Sequence, residues 1–258
     1  MMCELSIIIV TWNTRELLRA CLASLTRHHG GLSHEIIVVD NASEDGTVEM
    51  IRRTFPHVDI IANATNRGFG AANNQAIARA RGEFVLLLNS DTEVTSGVLR
   101  SAVAAMREQP DVAVLGVRVQ HPDGSLQLTC FAEPTLVNIA LQVFGLHRLP
   151  WPAWFGRDRM RNWARDSIRD VDVVTGCFFM LRPRAMEEVG LFDEQYFFYG
   201  EETDWCRRFR AAGWAVRFVP AGTIVHHGGA SAAMLDGDRG VLLADGIVRF
   251  HHKHAGAI

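Results

Sequence analysis

Carboxylates, amides and one histidine gather at a few points of this chain, most of them just after an apolar run. Asp91 is the sharpest of these. It follows Phe84-Val85-Leu86-Leu87-Leu88 and then Asn89-Ser90. A carboxylate so placed can hold a divalent cation whose shell is completed by substrate phosphates, the usual manner for Mg2+. Such a cation offsets charge developing on a leaving diphosphate. The competing reading makes Asp91 a cap before a helix over 94–106, since Asp is favoured at helix starts. A second cluster, FDEQYFFYGEETDWCRR at 192–208, sets Glu201, Glu202 and Asp204 after Phe197, Phe198 and Tyr199. Burial beside an aromatic wall raises a carboxylate's pKa and suits it to general-base work. The same acids would also serve the first turn of a helix. His226, in His226-His227-Gly228-Gly229, follows the strand-like Thr223-Ile224-Val225, and glycines after a histidine give it room to approach a metal.

The elements that must position these groups alternate along the first half. Short apolar runs at 5–11, 35–40, 58–62 and 84–88, the first of them β-branched, read as buried strands, and helical spacing fills 15–28, 46–54 and 69–79. Continuous apolar strands separated by amphipathic helices imply a mostly parallel sheet covered on both faces. In such a sheet, ligands bind beyond the carboxyl ends of the strands. Those ends read Thr11-Trp12-Asn13, Asp40-Asn41-Ala42-Ser43, Asn66-Arg67-Gly68-Phe69-Gly70 and Asn89-Ser90-Asp91, which defines one polar rim. The segment NRGFGAANN at 66–74 lacks the third glycine of a dinucleotide fingerprint and follows the third strand. It reads as a tight turn into a helix N-terminus, with Arg67 placed to meet a phosphate or carboxylate. Beyond 110, strands are expected at 112–119, 171–174, 178–181 and 215–219, and a helix at 202–212. His121-Pro122-Asp123-Gly124 is a turn from which 125–129 pairs back. No element is assigned within 134–170.

With 26 Lys and Arg against 29 Asp and Glu, the net charge of −3 argues against a general nucleic-acid binder. The 258 residues suffice for one mixed α/β domain. The five scattered cysteines show no zinc-ligand spacing and suit a reducing compartment. No signal peptide or membrane-spanning run is evident, so a cytoplasmic location is expected. Two glycosylation sequons, at Asn41 and Asn63, would then go unused.

Taken together, IIIVTWN at 7–13, IIVVDNAS at 36–43, NRGFGAANNQAI at 66–77, GEFVLLLNSDT at 82–92, VTGCFFMLRP at 174–183, FDEQYFFYGEETDWCRR and HHGGAS at 226–231 resemble family 2 glycosyltransferases of the GT-A fold, especially bacterial rhamnosyltransferase-like members. The resemblance implies a nucleotide-sugar half at 1–110 and an acceptor and catalytic half at 111–258. It implies that Thr11, Trp12, Asn13 and Asp40 bind the nucleotide, with Asp40 near the base, and that Asn66, Arg67, Gly68 and Asn73 line the donor site. Asn89-Ser90-Asp91 stands at the DxD-type metal motif with Asn in place of the first acid. Metal ligation therefore rests on Asp91, with His226 completing the site. Glu202 stands where the family's base is Asp, and Glu201 and Asp204 remain candidates. The implied reaction is a single inverting displacement, with Mg2+ or Mn2+, from a dTDP- or UDP-linked sugar to a glycan or lipid-linked acceptor in cell-envelope synthesis. Two alternatives are a catalytically degenerate binding subunit and a sugar-nucleotide pyrophosphorylase. The latter would carry a glycine-rich basic loop where this chain reads TWNTREL. Trp151, Trp154, Phe155 and Trp163, interleaved with Arg148, Arg157, Arg159, Arg161, Arg165 and Arg169, together with RFHHKH at 249–254, suit peripheral contact with an anionic membrane face.

Overall fold

Successive side chains of the buried strands point to opposite sides of one sheet, and each side has its own core. The computed structural model describes residues 3–135, 137–139, 160, 163–228 and 239–254. Strands β1 (Leu5–Thr11), β2 (His34–Asp40), β3 (Asp59–Ala62) and β4 (Phe84–Asn89) lie parallel in the order β3-β2-β1-β4. The helices between them are α1 (Arg15–His28), α2 (Thr47–Thr54) and α3 (Phe69–Ile77), with α4 (Val98–Glu108) after them. Ile7, Ile9, Val38, Leu86 and Leu88 share a core with the apolar faces of α1, α2 and α4. Ile8, Ile37, Val39, Val85 and Leu87 share the opposite core with α3. The period of two places alternate residues on opposite faces, as a sheet covered on both sides requires. Register aligns the strand ends: Thr11 lies opposite Asp40, and Val10 opposite Asn89.

The rest of the chain extends the same sheet. Its strands are β5 (Thr92–Val94), β6 (Val112–Gln120), β7 (Leu126–Gln127), β8 (Cys130–Phe131), β9 (Arg169–Asp170), β10 (Val173–Val174), β11 (Phe178–Leu181) and β12 (Ala215–His226). The described helices are α5 (Pro183–Val189), α6 (Glu201–Ala211) and α7 (Arg239–His254). The 10-stranded sheet continues from β4 through β11, β6 and β12 to β5, with β7 beside β6 and β9 beside β12. β11 is antiparallel to both neighbours, while β12 is parallel to β6. β8 and β10 form a separate antiparallel pair. Trp205, Cys206 and Phe209 of α6 and Ala185 and Met186 of α5 pack into the α3-side core. This is a mixed α/β fold of the GT-A type, with helices on both faces of the sheet.

Three expectations shift. The helix expected over 94–106 starts at Val98, because Gly97 takes a left-handed φ of 83° and Thr92–Val94 instead pairs with β12. Asp91 therefore precedes a strand and caps no helix. The last strand does not stop at Val219: a shift of register between Phe218 and Thr223 absorbs Pro220 and Gly222, and the strand runs on to His226. The turn at 121–124 closes with His121 N–H donating to Ser125 O at 2.9 Å, but only Leu126 and Gln127 pair back. Of the residues expected at a membrane face, Arg148, Trp151, Trp154, Phe155, Arg157, Arg159 and Arg161 lie outside the described residues. Trp163 and Arg165 are buried, Trp163 packing edge-on against Phe218 with ring centroids 4.8 Å apart. Arg169 is exposed, with its guanidinium over the Trp163 ring.

Candidate active site

The rim begins with a hydroxyl chain. Thr11 Oγ1 lies 2.8 Å from Thr14 Oγ1, which lies 3.0 Å from Ser90 Oγ, so the end of β1 is tied to the loop after β4. Asn13, at a left-handed φ of 52°, receives Glu44 N–H on Oδ1 at 2.7 Å and donates its own N–H to Ser43 Oγ at 2.9 Å. These bonds hold the loop after β2 against the loop after β1, with Trp12 half-buried between. Asp40 is buried. Its Oδ2 accepts Ser43 N–H at 3.0 Å, while Oδ1 is a buried acceptor with no hydrogen-bond partner among the described residues. A buried carboxylate oxygen left in this state is suited to a ligand N–H.

Asn66 Oδ1 accepts Gly68 N–H at 3.0 Å and shapes the turn into α3. Gly68 has φ 82°, and a Cβ there would run into the carbonyl of Phe197, so only glycine fits. Phe69 N–H donates to that same carbonyl at 3.1 Å, which couples the donor rim to the loop before α6. Arg67 is exposed, with no carboxylate partner among the described residues. Asn73 is buried and donates to Phe69 O at 2.9 Å within its own helix.

Asp91 and His226 meet because β5 and β12 are paired: His226 lies opposite Thr92. His226 Nε2 is 3.1 Å from Asp91 Oδ1 and 3.3 Å from Asn89 Nδ2, and its Nδ1 is 2.9 Å from Gln127 Oε1. His227 turns the other way, 3.1 Å from Glu93. Among the described residues no group of three His, Cys, Asp or Glu converges on one point. Two ligands still fit a cation that keeps places for water and phosphate. Ligands roughly 2.0–2.1 Å from such an ion, at right angles, stand roughly 3 Å apart.

The acids Glu201 and Glu202 of α6 line a cavity of about 470 Å3. Asn89, Gln127 and His226 line it too, as do Leu243, Gly246, Ile247 and Phe250 of α7. Glu202 Oε1 accepts Gly176 N–H at 3.0 Å. Burial raises the Glu202 carboxyl above the ordinary carboxylate range, partly opposed by its own backbone N–H and that of Gly176. Glu201 is pushed well above that range by burial and then by the charge of Glu202; its Oε2 is buried with no partner among the described residues. Asp204 stands apart from the cavity. It is fully buried and taken up by Arg208 Nε at 2.8 Å, Lys253 Nζ at 3.0 Å and His254 Nε2 at 2.8 Å.

Sequence comparison assigns the family. The glycosyl transferase family 2 model matches residues 6–190. The chain belongs to glycosyl transferase family 2. It is 30% identical over 241 residues to the N-acetylglucosaminyl-diphospho-decaprenol L-rhamnosyltransferase of Mycobacterium tuberculosis, covering 86% of this chain and 76% of that one. A solved structure of the mannosyltransferase PcManGT from Pyrobaculum calidifontis, in complex with GDP-Man and Mn2+, superposes with a TM-score of 0.63 at 17% identity. The match covers 98% of this chain and 64% of that one. GalNAc-T7 with UDP, GalNAc and Mn2+ gives a TM-score of 0.61 at 16% identity, over 87% of this chain and 44% of that one. These two share the fold. Membership makes the chain a glycosyltransferase of hexosyl type and sets the pyrophosphorylase alternative aside. Sequence reasoning missed two parts of this cavity. Gln127 carried a signal only as part of the segment 125–129 expected to pair back after the turn. The cavity wall on α7 carried one in the spacing of Leu243, Gly246, Ile247 and Phe250.

Proposed function

We propose that this family 2 enzyme is an inverting, metal-dependent glycosyltransferase. It moves a hexose, rhamnose foremost, from a dTDP- or UDP-linked donor to a hydroxyl of a glycan or lipid-linked acceptor in cell-envelope polysaccharide synthesis. One observation carries the reading: Glu202, Asn89 and His226 line a single cavity, and Asp91 stands 3.1 Å from His226. Attack opposite a leaving group requires a base and a diphosphate site that share one cavity. Glu202 takes the proton of the acceptor hydroxyl. The freed oxygen pair forms the bond to the anomeric carbon as the bond to the diphosphate breaks, and the configuration inverts. Burial keeps Glu202 basic enough for this work, and the Gly176 N–H fixes its orientation.

The unpartnered Oδ1 of Asp40 suits uracil or thymine, whose ring N–H would donate to it. Arg67, at the start of α3, is placed to meet the phosphates together with helix N–H groups. Asp91 and His226 would hold the divalent cation, which supplies neutralisation of the charge growing on the leaving diphosphate. On α7, Val241, Leu243 and Val248 are 64%, 49% and 66% exposed, and Leu243 also lines the cavity. Those exposed apolar side chains on a helix that lines the cavity support peripheral contact with a membrane. Nucleoside diphosphate release from a panel of dTDP- and UDP-sugars, with and without Mn2+, tests the whole reading. Binding of a donor without transfer or hydrolysis in any combination would instead make the chain a binding subunit.

A further inference from the structure

The ring of His226 is held from behind by a residue with no assigned part in the reaction. Gln127 Oε1 lies 2.9 Å from His226 Nδ1. An amide oxygen only accepts, so in the neutral ring the proton sits on Nδ1. Nε2 then presents its lone pair, and its neighbours are Asn89 Nδ2 at 3.3 Å, which only donates, and Asp91 Oδ1 at 3.1 Å. Two electron-rich atoms, Nε2 and Oδ1, thus face each other at the spacing of neighbouring ligands on one ion.

Backbone geometry holds the amide there. Gln127 is paired with Val119 on one side of β6, and β12 runs along its other side with Val225 opposite Gln120. The two side chains therefore meet around the end of β6. After His226 the chain turns at Gly228, with φ 83°, where an added Cβ would stand 3.6 Å from Gln127 Nε2. The amide nitrogen lies toward Gly228 while its oxygen faces the ring.

We infer that Gln127 is a positioning residue of the metal site: it fixes the Nδ1–H tautomer of His226 and so keeps Nε2 directed at Asp91. The inference rests on the reading that Asp91 and His226 hold the cation. Outer partners of this kind set ring orientation and ligand basicity, and their loss typically weakens metal binding about 10–100-fold.

The experiment counts free Mn2+ by electron paramagnetic resonance during titration of the whole chain, with UDP and dTDP both present. Gln127→Leu, of similar volume but without an acceptor, is expected to bind Mn2+ about 10–100-fold more weakly. Gln127→Glu, which still accepts from Nδ1–H, is expected to bind at least as tightly as wild type. In a His226→Ala background, Gln127→Leu should change nothing further, since its effect passes through that ring. Wild-type affinity in Gln127→Leu overturns the inference. So does equal weakness in Gln127→Glu, or an undiminished effect of Gln127→Leu without His226. Failure of the metal reading is told apart by the wild type and Asp91→Ala: if the wild type takes up no Mn2+, or Asp91→Ala takes it up equally well, the site itself is wrong and the role of Gln127 falls with it.

Discussion

A carboxylate that takes a proton from a sugar hydroxyl works best when its pKa approaches the working pH, and burial moves Glu202 in that direction. Glu202→Gln is expected to keep donor affinity, since the residue faces the acceptor side, and to lower kcat about 10²–10⁴-fold. Retained turnover in this variant, with loss in Glu201→Gln, would move the base to the neighbouring acid. Wild-type kcat should climb with pH along an acid limb above the ordinary carboxylate range. The same burial has a signed consequence for stability. Glu201 is raised in the folded state, so on rising pH the unfolded chain loses its proton first. The contribution is whole below the ordinary glutamate pKa and is lost as pH rises through the raised value. Glu201→Gln removes that loss, so its melting temperature should exceed wild type at pH 8 and match it near pH 4. A variant that melts no higher at pH 8 would contradict the assignment of a buried, costly charge.

At the scale of elements, Asp204 binds two helices together. It begins on α6 and receives Arg208 from the same helix and Lys253 and His254 from α7. Lys253 also reaches Asp193 at 2.6 Å, so the end of α7 is tied to the loop before α6. Near its middle, Gly246 packs on the backbone of Tyr199 and Gly200 so closely that any Cβ would overlap Tyr199 O. Asp204→Ala should therefore cost about 3 kcal/mol, the lower end for a broken buried pair because Arg208 and Lys253 keep some contact with water. Chemical denaturation measures it, and a donor Kd near wild type would separate this effect from damage to the nucleotide rim. Sequence alone could not set Asp204 apart from Glu201 and Glu202, because its partners lie about fifty residues away in α7. By contrast, the strands and the rim were legible: continuous apolar runs fix β1, β2 and β4, and the polar groups come directly after them. The extension of β12 to His226 was hidden by Pro220 and Gly222, which read as a break until pairing with β5 and β6 absorbs them. The false helix start at Val94 has a similar cause, since pairing with β12 overrode a local apolar period.

For the whole molecule, the question is how the enzyme would meet the lipid-linked acceptor proposed for it. No helix among the described residues is long and apolar enough to cross a membrane. The cationic cluster at 249–254 is largely paired with acids: Arg249 lies 3.6 Å from Asp245, and Lys253 and His254 are held by Asp204. Trp163 and Arg165 are likewise in the interior. The exposed apolar side chains of α7 are Val241 and Val248, seven residues apart with the exposed, Arg249-paired Asp245 between them, and Leu243 beside the cavity. Apolar side chains so presented bind an interface through buried area more than through charge. Co-sedimentation with liposomes should therefore persist when salt is raised, because screening weakens exposed charge and leaves apolar burial intact. Val241→Glu with Val248→Glu should abolish it while turnover on a small water-soluble acceptor stays near wild type, since neither side chain lines the cavity. Binding that disappears at high salt in the wild type would transfer the contact to basic residues. No sedimentation even at low salt, with efficient transfer to the soluble acceptor, would remove membrane contact from the proposed function.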